Sequence, residues 1–121
     1  MSHHIQKTNP QLVSLIHELK KTAIDQEAPI WKDIALRLEK PLRNWPIVNL
    51  KRIDMYVHEN ETAIIPGKVL SPGTLSKKIS IAAWAFSDKS VEKIKNAGGK
   101  SLTIQEVLKK NPKGKDIRIV G

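Results

Sequence analysis

The sequence predicts an α/β fold: a single compact domain with N-terminal helices followed by a small sheet mixed with short helices. Three observations predict it. Apolar residues recur at helical spacing through the first third of the chain. Runs with strand character begin only after residue 61. Those runs then alternate with segments that carry helix caps. A chain of 121 residues is the size of one such domain and is long enough to bury a core. Residues 9–121 are expected to form it, with residues 1–8 as a flexible basic tail.

Asn9-Pro10 reads as a helix start, an Asn cap followed by proline at the first helical position. Leu12, Leu15, Ile16, Leu19 and Ala23 then mark its buried stripe. A second helix begins at Pro29, buries Trp31, Ile34, Ala35 and Leu38, and stops before Pro41, because the residue preceding a proline avoids helical geometry. Asn49 is placed to cap a short third helix with Leu50, Ile53 and Val57 inward. Thr62–Ile65 reads as a strand that Pro66-Gly67 ends, and Lys78–Phe86 as a longer one. A basic loop, Gly67–Lys77, joins them, punctuated by Gly and Pro. Ser87 or Asp88 caps a helix that ends at Gly98-Gly99. Thr103-Ile104-Gln105-Glu106 is a capping-box pattern opening a short helix that Asn111-Pro112 stops. Lys113-Gly114-Lys115 reads as a basic turn, and Asp116–Val120 as a closing strand. No internal repeat is present.

Charge narrows the function. Twenty-one Lys and Arg against twelve Asp and Glu give +9 and a pI near 9.9. A small domain this basic usually meets a polyanion, most often nucleic acid. The excess is uneven. Residues 1–61 hold nine basic and eight acidic side chains, a net of +1, whereas residues 62–121 hold twelve and four, a net of +8. Lys40 to Arg52 carries Lys40, Arg43, Lys51 and Arg52 with no acid. Zero cysteines exclude disulfides, thiol catalysis and thiolate zinc sites. No apolar run approaches the roughly 20 residues of a membrane span, and the first residues lack a signal core. An intracellular, cytoplasmic protein with no membrane partner is expected.

The sequence offers few candidates for chemistry. Gly98-Gly99-Lys100-Ser101 looks like the end of a phosphate-binding loop, but Ile94 stands where its first glycine belongs and a helix precedes it. A helix C-terminal turn with a left-handed glycine explains it better. Gly67-Lys68 fails too, with Thr62 in place of the first glycine and Val69 in place of the magnesium-holding hydroxyl. That loop is instead expected to cradle RNA phosphates with backbone and lysines. His3 or His4 near the amino terminus, His17 on the first helix, and His58 beside Glu59 and Glu61 are weak metal signals. No catalytic set, metal, cofactor or small-molecule substrate is expected. Trp31 and Trp84 read as core. Trp45 reads as a packed loop anchor, with stacking on a base or ribose as the other reading. With one Phe and one Tyr, the aromatic pair of a single-strand-reading sheet is missing. Phosphate and shape recognition are therefore expected over base readout.

Ile65-Pro66-Gly67-Lys68-Val69-Leu70-Ser71-Pro72-Gly73, followed by Ile81-Ala82-Ala83 and Phe86-Ser87, closely resembles the archaeal and eukaryotic large-subunit ribosomal protein eighteen family. That family is structurally related to bacterial large-subunit ribosomal protein fifteen. Asn9-Pro10 with Leu15-Ile16, Leu38–Pro41, Val48-Asn49, Ala97–Gly99 and Asn111–Gly114 with Arg118-Ile119 match in order. The resemblance covers nearly the whole chain and points to an archaeal member. It implies an α/β domain bound to large-subunit ribosomal RNA beside neighbouring large-subunit ribosomal proteins, with no catalytic residues. The chain departs from the family's frequent Gly-Ser-Gly after Val-Leu: it has Ser71-Pro72-Gly73, stiffer and one backbone donor poorer.

The expected mechanism is electrostatic cladding of folded RNA in translation. Lys68, Lys77 and Lys78 from the central loop, Lys40, Arg43, Lys51 and Arg52 from the acid-free stretch, and Lys113, Lys115 and Arg118 near the end are expected to meet phosphates. Changing Lys68 and Lys77 together to Glu is expected to weaken RNA binding without unfolding the domain. Two rivals come from other classes. One is a free-standing DNA- or RNA-binding protein outside the ribosome, although no recognition helix with base-reading residues is visible. The other is a nucleotide-dependent enzyme using Gly99-Lys100-Ser101.

Overall fold

The computed structural model describes residues 9–121. The expected tail of residues 1–8, with His3 and His4, lies outside the described residues. In chain order the elements are α1 (Pro10–Asp25), α2 (Pro29–Glu39), a 3-10 turn (Leu42–Asn44), β1 (Ile47–Asn49), α3 (Leu50–Tyr56), β2 (Thr62–Leu70), β3 (Ser80–Phe86), α4 (Asp88–Asn96), β4 (Lys100–Thr103), α5 (Ile104–Lys110) and β5 (Ile117–Ile119).

Helix starts follow local chemistry. Asn9 Oδ1 accepts from the backbone N–H groups of Gln11 and Leu12 at 2.9 and 3.3 Å, satisfying donors that have no partner within the helix. Ser87 caps α4 through the Ser90 N–H. Thr103 and Glu106 form a reciprocal capping box on α5. Asn49 occupies the cap position of α3, but its side chain makes no capping hydrogen bond.

Every strand pair is parallel; α3 and α4 make the crossovers from β1 to β2 and from β3 to β4, and an extended loop carries the chain from β2 back to β3. The order is β1-β2-β3-β4. β3 takes one edge of β2. On the other, β5 pairs with Thr62–Ile64 and β1 with Lys68–Leu70, so these two short strands lie end to end. Side chains alternate across β2 and β3. Ile64 and Ala82 join the α1, α2 and α5 stripes around fully buried Trp31. Ala63, Ile65, Ile81 and Ala83 face the other way, with Leu50 and Ile53 of α3 and Ile94 of α4. The result is a three-layer α/β/α sandwich with a core on each face of the sheet. Each fully buried Leu or Ile contributes roughly 1.5–3 kcal/mol of transfer free energy.

Two expectations are corrected. Pro66-Gly67 does not end the second strand, which continues to Leu70. The register with β3 shifts between Ile65 and Lys68, and a bulge is where a sheet tolerates proline. Gly67 is required there because a Cβ would lie 2.1 Å from the Pro46 carbonyl oxygen. The third strand begins at Ser80, leaving Lys78 and Ile79 before it. β1 and β4, of three and four residues, were not anticipated.

Candidate nucleic-acid interface

In a parallel sheet all strands end on the same side, so loops and helix ends gather at two opposite edges. The ten expected RNA-binding residues divide evenly between them. At the carboxyl edge, Lys51 and Arg52 open α3 directly after β1. Lys68 lies near the end of β2, in register with Ile47. Arg43 sits in the 3-10 turn just before Pro46, whose carbonyl accepts the Lys68 N–H at 3.0 Å. Lys40 ends α2, where its carbonyl accepts from Trp45 Nε1 at 3.0 Å. At the amino edge, Lys78 precedes β3, while Lys113, Lys115 and Arg118 come from the turn and strand leading past Thr62, whose N–H donates to the Asp116 carbonyl at 2.9 Å. Lys77 packs on the C-terminal end of α3.

The edges differ in how their charge is used. Arg118 Nε donates to Glu61 Oε1 at 3.2 Å. The His58 backbone N–H, and then Arg118, hold the Glu61 carboxyl below the usual carboxylate range. Lys77 Nζ donates to the carbonyls of Asp54 and Val57 at 2.6 and 3.2 Å, satisfying orphan acceptors at a helix end. Both cations are therefore occupied within the protein. By contrast, Arg43, Lys51, Arg52 and Lys68 are exposed and form no ion pair among the described residues. The nearest acid in sequence, Asp54, accepts from the Ser76 N–H and hydroxyl at 2.9 Å each. Lys68 and Lys77, expected to act together, stand at opposite edges.

The central loop is braced against two helices. Its first residues belong to β2, and Gly67 is buried against Pro46. Lys93 Nζ donates to the Ser71 and Gly73 carbonyls, each at 2.9 Å. The Lys51 N–H donates to the Pro72 carbonyl at 3.2 Å. Gly73 adopts φ +94, and a Cβ there would lie 2.4 Å from Lys51 Cβ. The carbonyls of Ser71, Pro72 and Gly73 thus tie the loop to α3 and α4. The sequence missed Lys93, whose role depends on a partner 20 and more residues away.

Gly98-Gly99-Lys100-Ser101 turns out of α4 into β4, with Gly98 at φ +84. The N–H groups of Gly98, Gly99 and Lys100 donate to the carbonyls of Lys95, Ile94 and Ile79, so none is turned toward a phosphate. Trp31 Nε1 donates to the Pro112 carbonyl at 2.8 Å. Trp45 meets Trp84 edge-to-face, with ring centroids 6.1 Å apart. Trp45 is therefore a loop anchor rather than a stacking platform. Among the described residues, no group of three or more His, Asp or Glu is placed to hold a metal ion. None of the described helices is long and apolar enough to cross a membrane.

A small, strongly basic α/β/α domain with exposed lysines and arginines at both edges of its sheet has the charge to meet a structured polyanion. A model of the family described as "Ribosomal protein 60S L18 and 50S L18e" matches residues 2–120. The chain is 48% identical over 120 residues to the large ribosomal subunit protein eL18 of Methanoregula boonei, covering 99% of each. It is 44% identical to that of Archaeoglobus fulgidus, over 96% of this chain and 99% of the relative. To that of Halobacterium salinarum it is 46% identical, over 94% and 97%. The chain belongs to the L18/L18e ribosomal protein family, in its archaeal branch. This is a family of structural proteins, not of enzymes.

Proposed function

We propose that this chain is a structural constituent of the large ribosomal subunit. It binds large-subunit ribosomal RNA through the carboxyl edge of its sheet and stabilises one arrangement of RNA helices for translation in the cytoplasm. The observation that carries the reading is the set of exposed, unpaired cations at that edge: Arg43, Lys51, Arg52 and Lys68. Each neutralised phosphate releases counterions, which drives binding and makes it salt-dependent. The braced loop and the two-sided core hold these cations on rigid elements, so little order must be gained on binding. Lys40 extends the edge toward α2. Lys78, Lys113 and Lys115 form a second, smaller basic region at the amino edge, available to another RNA segment. Lys77 and Arg118 support the fold first. Neighbouring ribosomal proteins cover faces that RNA leaves open.

The test is sedimentation of a native lysate on density gradients, following the chain by mass spectrometry. Co-migration with the large subunit at low salt and release as salt rises are expected. A slowly sedimenting free protein under gentle conditions would contradict the reading and favour a nucleic-acid-binding protein outside the ribosome.

A further inference from the structure

The acid-free stretch from Lys40 to Arg52 carries more than charge. Ile47, Met55 and Tyr56 are 66%, 62% and 55% exposed, beside Lys51 and Arg52. With Asn49 they line an open groove of about 450 Å3 where β1 runs into α3. Phosphate binding alone has no use for this apolar surface, which costs free energy when left in water. Arg52 and Tyr56 are four residues apart on α3, as are Lys51 and Met55, so each pair shares a strip of helix surface. The exposed face of α3 therefore sets an aromatic ring and a thioether beside two cations. Asn49 adds an exposed amide that makes no capping bond. Such an amide can meet the donor and acceptor edge of a base.

We infer that this groove receives one unpaired nucleotide of the bound RNA, its base against Tyr56 and its flanking phosphates at Lys51 and Arg52. Charge selects the occupant. An apolar peptide would leave Arg43, Lys51 and Arg52 without counterions, whereas a nucleotide supplies a flat apolar face and an anion together. Stacking on one aromatic side chain tolerates any base, because every base has a π-face. The inference rests on the ribosomal RNA reading above and adds a single base contact to a surface otherwise devoted to phosphates. Tyr56 is exposed, so its replacement leaves the core intact.

The test compares the full-length protein with its Tyr56→Ala and Tyr56→Phe variants for binding to purified large-subunit ribosomal RNA across a salt series. Tyr56→Ala is expected to weaken binding about tenfold, within the range for losing one base–aromatic stack, with the salt dependence unchanged. Tyr56→Phe is expected to bind as the original does. Equal binding by Tyr56→Ala overturns the nucleotide site and leaves the ribosomal reading standing. A wild-type protein that fails to bind the RNA overturns both. As a second measurement, a benzophenone amino acid replaces Tyr56 in assembled large subunits and is photoactivated. Cross-linking to RNA supports the site, and cross-linking to another protein overturns it.

Discussion

Gly67 shows how much one missing methyl group decides. The Pro46 carbonyl occupies the space a Cβ would take, and that contact seats β1 against β2. Gly67→Ala is expected to lower stability by about 2–3 kcal/mol, the upper range for overpacking a filled site, as read by urea denaturation. Gly98→Ala makes the contrast, since its nearest neighbour would be the flexible Lys78 side chain at 3.6 Å. Only the left-handed backbone is strained there, at roughly 1 kcal/mol. Trp31 works differently, filling the core and tying α2 to the turn after α5 through Pro112. Trp31→Phe removes the donor and leaves the carbonyl short of a partner, a loss of about 1–3 kcal/mol, expected as a lower thermal midpoint. Trp31 as core was legible from its place in an apolar stripe. Its hydrogen bond was not, because the partner is 81 residues away.

At the scale of elements, the helices were legible because their signals are local. Asn9-Pro10, Ser87 and the Thr103–Glu106 box act within three residues of themselves, and each helix starts where its cap stands. The short strands were not. Ile47–Asn49 and Lys100–Thr103 show no alternation long enough to read, and exist because β2 and β3 offer hydrogen-bonding edges beside them. Pro66-Gly67 misled for a related reason. A proline normally ends a strand, but the bulge removes the need for its missing donor. Lys77 belongs here as well. Its Nζ satisfies carbonyls at the end of α3, a role that its place in a basic loop does not reveal. Lys77→Met is expected to destabilise the domain by about 1 kcal/mol while leaving the salt dependence of RNA binding unchanged. In α5 the Thr103 backbone N–H holds the Glu106 carboxyl below its ordinary value. A depressed folded value stabilises fully above the unfolded carboxylate range, and the gain is lost as pH falls through the folded value. Glu106→Gln is therefore expected to reduce the loss of stability on acidification, as read by thermal melts between neutral pH and pH ~3.

For the whole molecule, topology sorts the charge. Net charge and the acid-free stretch announced a polyanion partner, and the motif around Ile65–Gly73 announced the family. Neither could say which cations remain available. Folding sends half of them to each edge of a parallel sheet, and the amino edge then pairs Arg118 with Glu61 and commits Lys77 to carbonyls. The first half of the chain, nearly neutral in sum, contributes three of the four exposed, unpaired cations at the carboxyl edge. Its eight acids lie elsewhere or are engaged, as Asp54 is by Ser76.

The most direct measurement is the salt dependence of binding to large-subunit ribosomal RNA for the wild-type protein, the triple variant Arg43→Gln, Lys51→Gln, Arg52→Gln, and the paired variant Lys77→Gln, Arg118→Gln. The wild type is expected to lose affinity steeply as salt rises. The triple variant should flatten the log–log slope by about 0.7 to 0.9 for each cation removed, with its melting transition unchanged. The paired variant should melt earlier and keep the wild-type slope. A triple variant with the wild-type slope, or a paired variant whose slope falls instead, would contradict the carboxyl edge as the RNA-binding face.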